Sequence, residues 1–171
     1  MDPLPRKRPP SPCNCGALRK AARRISRLYD EALAPVGIGA GQHAILAELA
    51  RWADDAPTLW ELADALVLDR TTIGRNLRPL ERDGYVDIRP CAIDRRKKRV
   101  GLTPAGRRKL AESAIHWQQA QDAFERSFGP AQARSLRSRL LAIANTQDID
   151  INDSGTMQPM VQTPYLKEHD E

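Results

Sequence analysis

Apolar residues recur at helical spacing along most of the chain and at strand spacing in one short stretch. Leu18, Ala22, Ile25, Tyr29 and Ala32 fall three and four apart, which predicts a helix over 14–34 that Pro35 and Gly37 close. Ile45, Leu46 and Leu49 mark a second helix, from about Gly41 to Trp52. Thr58 and Glu61 have the spacing of a capping box, in which hydroxyl and carboxylate each satisfy a free backbone N–H, opening a short helix from Leu59 to Leu66. Asp69 is the next N-cap, and Ile73, Leu77 and Leu80 give the following helix, to Asp83, one buried side before Gly84 stops it.

After Gly84 the period drops to two. Val86 and Ile88 alternate with Asp87 and Arg89, and Val100 and Leu102 repeat the pattern after a polar stretch, so a β-hairpin is expected. Thr103-Pro104 then places an N-cap before a proline at the first helical position. The long helix that follows carries Leu110, Ala114, Trp117 and Phe124 on one side, and Gly129-Pro130 breaks it. A last helix carries Leu136, Leu140 and Ile143, and no periodicity continues past Asn145.

Composition narrows the class. The 171 residues suffice for one domain with a core, and the 41% hydrophobic and 29% charged fractions are ordinary for a globular chain. No apolar run reaches the roughly 20 residues of a membrane span, and Arg6, Lys7 and Arg8 are not followed by an apolar stretch, so no secretory signal is read and a cytoplasmic location is expected. Residues 1–12, with five prolines, read as a mobile basic arm. The acids of residues 148–171 outnumber Lys167 by five, so of the net +5 charge the first 147 residues carry +10. A basic body with an acidic, aperiodic tail points to a nucleic-acid partner. Three widely spaced cysteines do not make a disulfide scaffold.

The order helix, helix, turn, helix, hairpin is used by proteins that read the DNA major groove with the last helix and reach beside it with the hairpin. With Ile73, Leu77 and Leu80 inward, the outer side of that helix offers Arg70, Thr71, Gly74, Arg75 and Arg78, with Asn76 at its margin, and Thr72 is a further candidate DNA contact. Arginine can bond two acceptors on guanine, and asparagine two groups on adenine. Gly74 would permit close approach. Asp94, Arg95, Arg96, Lys97, Lys98 and Arg99 place five bases at the hairpin tip, a density that a phosphate backbone or narrow minor groove would compensate.

These segments resemble the MarR family of transcription regulators. The resemblance rests on T-L-W-E-L-A-D-A-L (Thr58–Leu66), L-D-R-T-T-I-G-R-N-L-R-P-L-E-R-D-G-Y-V (Leu68–Val86) and D-R-R-K-K-R-V-G-L-T-P-A-G (Asp94–Gly106), and spans about residues 14–145. It implies a mainly α fold with a small β-hairpin wing, a winged helix-turn-helix over 58–103 within a domain of residues 13–147. It also implies an intertwined helical dimerisation region from 13–53 and 104–147. A homodimer would read an inverted repeat in duplex DNA, most commonly as a repressor, with each wing in a minor groove. One departure is Pro79 inside the reading helix, which removes a hydrogen bond to the Arg75 carbonyl.

Family members commonly respond to small aromatic acids or to oxidants through cysteine. Cys15, fourteen residues before Tyr29, resembles the branch that senses organic peroxide, where a cysteine at this helix start bonds to a tyrosine; that branch has further tyrosines where Arg19 and Ala40 stand here. A helix N-terminus and Arg19 would favour the Cys15 thiolate, and Cys13 or Cys91 could close a disulfide on its sulfenic acid. Three incidental cysteines are the alternative. His43 is a candidate to meet a ligand carboxylate, or else a structural histidine. Cys13-x-Cys15 lacks a partner pair, so no metal and no cofactor are expected. The glycine run Gly37–Gly41 has no preceding strand and no Lys-Ser/Thr after it, and no catalytic motif occurs, so an enzyme is not expected. The rival function is a nonspecific DNA-packaging protein.

Overall fold

A computed structural model describes residues 11–52, 55–91 and 94–146. The basic arm (apart from its last two residues) and the acidic tail lie outside the described residues. The elements run α1 (Asn14–Leu33), α2 (Ala40–Arg51), α3 (Leu59–Ala65), α4 (Arg70–Arg82), β1 (Val86–Pro90), β2 (Lys98–Leu102), α5 (Pro104–Phe128) and α6 (Pro130–Asn145). A 3₁₀ turn, Ala34–Val36, joins α1 to α2. No described helix is long and apolar enough to cross a membrane.

The core lies where the helical period was clearest. Ile45, Leu46 and Leu49 of α2, Leu62 of α3, and Ile73, Leu77 and Leu80 of α4 are buried together with Val86 and Val100 of the hairpin. Burying a side chain of this size is worth about 1.5–3 kcal/mol, so this cluster fixes α4 and the hairpin to one body. β1 and β2 are antiparallel, with Val86 opposite Leu102 and Ile88 opposite Val100. The hairpin is tied to the body by Val100 N–H, which donates to the Pro57 carbonyl at 2.9 Å.

Helices α1 to α5 each start on a side-chain cap, and α6 starts on Gly129-Pro130 without one. Thr58 Oγ1 accepts from Glu61 N–H at 3.2 Å, and Glu61 Oε2 accepts from Thr58 N–H at 2.6 Å. Asp69 Oδ1 accepts from the N–H groups of Thr71 and Thr72. Asp30 of α1 reaches across to accept from Ala40 N–H at 2.8 Å and so caps α2. At the hairpin exit Thr103 Oγ1 caps α5 at Gly106 N–H and donates to the Gly84 carbonyl at 2.7 Å. A Cβ on Gly106 would stand 2.0 Å from the Tyr85 carbonyl oxygen, so only glycine lets α5 leave the hairpin at this angle.

The outer helices depart from expectation in one respect. The fully buried positions of α5 are Gly106, Ser113 and Ala120, seven apart and small, while Leu110, Trp117 and Phe124 are only partly covered and Ala114 is exposed. Small residues let α5 lie close against its neighbours, and the larger side chains go to its flanks. Leu18, Ile115, Phe128, Leu140, Leu141 and Ile143 remain exposed on α1, α5 and α6 in the single chain.

Pro79 sits in the last turn of α4, and the helix runs through it without a break to Arg82. The Arg75 carbonyl loses its usual donor there, but the turn is closed beyond it by Asp83 N–H on the Pro79 carbonyl. The turn between α3 and α4 carries Val67 at φ 50°, a left-handed conformation uncommon for a β-branched residue.

Candidate nucleic-acid interface

The outward side of α4 exposes Arg70, Thr71, Arg75 and Arg78. Gly74 lies among them, and a Cβ built there would meet nothing within 4 Å. No packing among the described residues therefore requires glycine at that position. Two of the residues expected from the sequence to contact DNA have other contacts. Thr72 is half-buried and donates its hydroxyl to Asp69 Oδ2 at 2.6 Å. This bond, with the backbone N–H donors, holds the Asp69 carboxyl below its ordinary range. Asn76 turns toward α2: its Nδ2 donates to the Thr72 carbonyl at 3.0 Å, and its Oδ1 lies 3.0 Å from where a Cβ on Gly41 would stand. Gly41 thus admits the close crossing of α2 and α4.

The wing tip is a tight turn built by Asp94. Its Oδ1 accepts from Arg96 N–H at 3.0 Å and its carbonyl from Lys97 N–H at 2.9 Å. Arg95, Arg96, Lys97 and Lys98 project from that turn and are exposed. Asp94 shapes the loop that presents the bases. Arg99, the fifth base of the run, points the other way. Its Nη1 bonds Asp55 Oδ1 at 2.9 Å and also donates to the Ala56 carbonyl. It bonds Cys91 as well, and the Cys91 and Asp55 contacts hold the guanidinium above its ordinary pKa.

Helix α4 and the hairpin share one groove. A cavity of about 800 Å³ opens between α3, the start of α4 and β2, and Arg70, Arg96, Lys97 and Lys98 all stand in its wall. Thr58, Glu61 and Trp60 of α3 line it too. Glu61 keeps its charge in the capping box, since its bonds to Thr58 hold its carboxyl low. Sequence reading missed Trp60, which is 73% exposed; its place on the side of α3 opposite Leu62 was the available signal.

A second cavity, of about 380 Å³, lies between α1, α2 and α5 and is lined by Tyr29, His43, Trp117 and small aliphatic side chains. His43 is buried, and its ring stacks on Trp117 with centroids 6.0 Å apart. Ser113 Oγ donates to the Leu110 carbonyl at 2.9 Å, so it accepts from His43 at 2.9 Å, which assigns the ring proton to Nδ1. Burial lowers the pKa of His43, leaving the ring neutral. A carboxylate partner, expected from the sequence, would require a proton that this site disfavours.

The cysteines occupy two environments. Cys13 is the N-cap of α1, its sulfur accepting from Gly16 N–H at 3.3 Å, and both Cys13 and Cys15 are exposed. Cys91 is buried at the base of the wing, where Arg99 engages it. Tyr29 lies on the same helix as Cys15, about 21 Å further along it at 1.5 Å per residue. Its hydroxyl donates to Gln121 Oε1 at 2.5 Å. A Cys15–Tyr29 bond within one chain is therefore excluded. Gln121 in turn bonds Glu125, which pairs with Arg137 of α6 at 2.9 Å. Burial raises the pKa of the Tyr29 phenol, with smaller opposed contributions from Arg137 and Glu125. Among the described residues no group of three His, Cys, Asp or Glu could hold a metal.

Comparison with solved structures places this architecture. The transcriptional regulator MosR of M. tuberculosis, in complex with DNA, is 34% identical, with 77% of this chain and 96% of that one aligned at a TM-score of 0.65. The transcriptional repressor CouR bound to a 23-mer DNA duplex is 26% identical, over 77% of this chain and 92% of that one, at a TM-score of 0.68. A cysteine-to-serine mutant of E. coli MarR complexed with operator DNA is 23% identical, over 75% and 91% of the two chains, at a TM-score of 0.66, a likeness of fold alone. No family model and no curated protein sequence matches the chain.

Proposed function

The chain belongs to the MarR family of transcriptional regulators, and from that premise we propose that it binds an inverted repeat in duplex DNA as a homodimer and represses transcription until a signal releases it. The observation that carries this reading is the shared groove. Arg70 at the start of α4 and Arg96, Lys97 and Lys98 of the wing stand in one cavity wall, so helix and wing can engage one duplex together. Arg75, Arg78 and Thr71 are then the base readers, and the bare backbone at Gly74 lets the helix sit deep in the groove. MosR and CouR, bound to DNA, give the precedent.

The dimer reading is supported by the uncovered apolar side chains of α1, α5 and α6. A second copy burying them would set two α4 helices on one duplex, with half-sites about 34–36 Å apart. For the signal, the cavity beside His43 suits a small aromatic molecule. His43 Nδ1 is committed to Ser113, which leaves Nε2 to accept a hydroxyl or amide proton from the effector. The exposed pair Cys13 and Cys15 is the second candidate, with oxidation of Cys15 weakening DNA binding. Because Tyr29 of the same chain is out of reach, a Tyr29 partner for Cys15 would be that of the other subunit.

Mapping the bound sites on genomic DNA, with and without an organic peroxide or an aromatic acid, tests the reading. Discrete inverted repeats, favoured about 10³-fold or more over random duplex and released by the peroxide or by an aromatic acid that also carries a hydroxyl or amide donor for His43 Nε2, are expected. Uniform coverage with steep salt dependence would instead identify a packaging protein. Unchanged operator affinity under peroxide, with Cys15→Ser like wild type, would eliminate the cysteine signal.

A further inference from the structure

Trp60 is the most exposed large hydrophobic side chain of the described residues. Its surroundings are basic: the cavity that it lines also holds Arg70, Arg96, Lys97 and Lys98. Of the two carboxylates among the described residues of the wall, Glu61 is held in the capping box and Asp64 stands outside it. An apolar aromatic surface ringed by cations matches a deoxyribose–phosphate strand, which offers an apolar sugar edge beside each phosphate. It matches an apolar protein partner poorly, since four cations would have to be desolvated with it.

Duplex geometry supplies the second argument. Major and minor grooves are separated by one sugar–phosphate backbone. If α4 enters the major groove and the wing tip the adjacent minor groove, the strand between those grooves must cross the space between them. That space is the 800 Å³ cavity, and α3 forms its floor. From this placement we infer that Trp60 is a backbone-docking residue: its indole packs against the deoxyribose of the strand that passes between recognition helix and wing, while Arg70 and the wing bases meet the flanking phosphates. The inference rests on the DNA-binding reading above and adds to it a contact that no base readout requires.

Two consequences distinguish this contact from an arginine or lysine contact. An indole on a sugar releases no counterion, so it contributes affinity without salt dependence. A sugar carries no base identity, so the contribution is the same for every sequence. The test uses the full chain labelled with 5-fluorotryptophan and a duplex selected from a random-sequence pool by the protein itself. Three fluorine resonances are expected, for Trp52, Trp60 and Trp117, and Trp60→Phe identifies the one that matters. Duplex should shift that resonance, and Trp60→Ala should weaken binding roughly tenfold on selected and random duplexes alike, with the salt slope of wild type. Trp60→Phe should recover most of the loss. If the protein binds its duplex but the Trp60 resonance stays put and Trp60→Ala binds as wild type, the docking role is overturned while the DNA-binding function stands. If no duplex is bound at any salt concentration, both fall. A Trp60 resonance that moves with protein concentration alone would assign the patch to a protein contact and also overturn the inference.

Discussion

Arg99 on β2 and Asp55 at the turn before α3, 44 residues apart in sequence, lie 2.9 Å from each other as an ion pair across the base of the wing. Arg99 sits in the most basic stretch of the chain, yet it is the base that turns away from the tip. With the Ala56 carbonyl it joins β2 to the helix-turn-helix body. Exposed pairs of this kind add little stability, so the consequence should appear in orientation. Arg99→Ala is expected to leave the melting temperature nearly unchanged and to weaken duplex binding several-fold. Calorimetry beside a binding titration checks this; a large loss of stability with unchanged affinity would contradict it.

Gly106 and Gly74 make a matched pair of opposite sign. Gly106→Ala would drive a Cβ to 2.0 Å from the Tyr85 carbonyl oxygen, and should destabilise the fold by about 3 kcal/mol through forced backbone movement. Gly74→Ala meets open space in a helix, and should stabilise the free protein by about 0.5–1 kcal/mol. On the DNA side the same methyl would intrude into the groove, so duplex affinity should fall. Denaturant unfolding and binding titrations of the two variants check both halves. A Gly74→Ala protein that is more stable and binds DNA as wild type would contradict the placement of that helix face.

His43 gives a pH dependence with a fixed sign. Burial holds its pKa below the value in the unfolded chain, so the unfolded state takes up a proton at a higher pH than the folded one. Stability is then fully present above about pH 6.5, the unfolded value, and falls as pH drops from there toward the lower folded pKa. His43→Gln, which can still donate to Ser113, should flatten the decline in melting temperature between pH 7.5 and about 5. An identical slope in the variant would contradict the buried, neutral assignment.

The sequence made the DNA-binding lobe legible because each of its elements buries one well-spaced side within a single chain. Ile73, Leu77 and Leu80 recur at helical spacing and are all buried; Val86 and Val100, one from each alternating stretch, are buried too. The capping residues Thr58, Asp69 and Thr103 could be read because a cap acts within three residues of itself. Contacts between distant segments were not legible. The tie from Arg99 to Asp55, the turn of Asn76 toward Gly41 and the bond of Tyr29 to Gln121 depend on tertiary approach that no local spacing encodes. The stripe Gly106, Ser113, Ala120 was hidden for another reason: close helix packing selects small residues, which carry no hydrophobic signal. The apolar positions of α6 were visible as a pattern, yet Leu140 and Ile143 are exposed in the single chain.

The central claim is that α4 reads bases while the wing holds the backbone, and one comparison tests it most directly. Arg75→Ala and Arg96→Ala are titrated against the selected inverted repeat and against random duplex. Arg75→Ala is expected to cost about 1–3 kcal/mol on the repeat and much less on random DNA, relaxing the preference. Arg96→Ala should weaken both duplexes alike and lower the salt slope by about 1. Two variants with the affinity and the preference of the wild type would contradict the account.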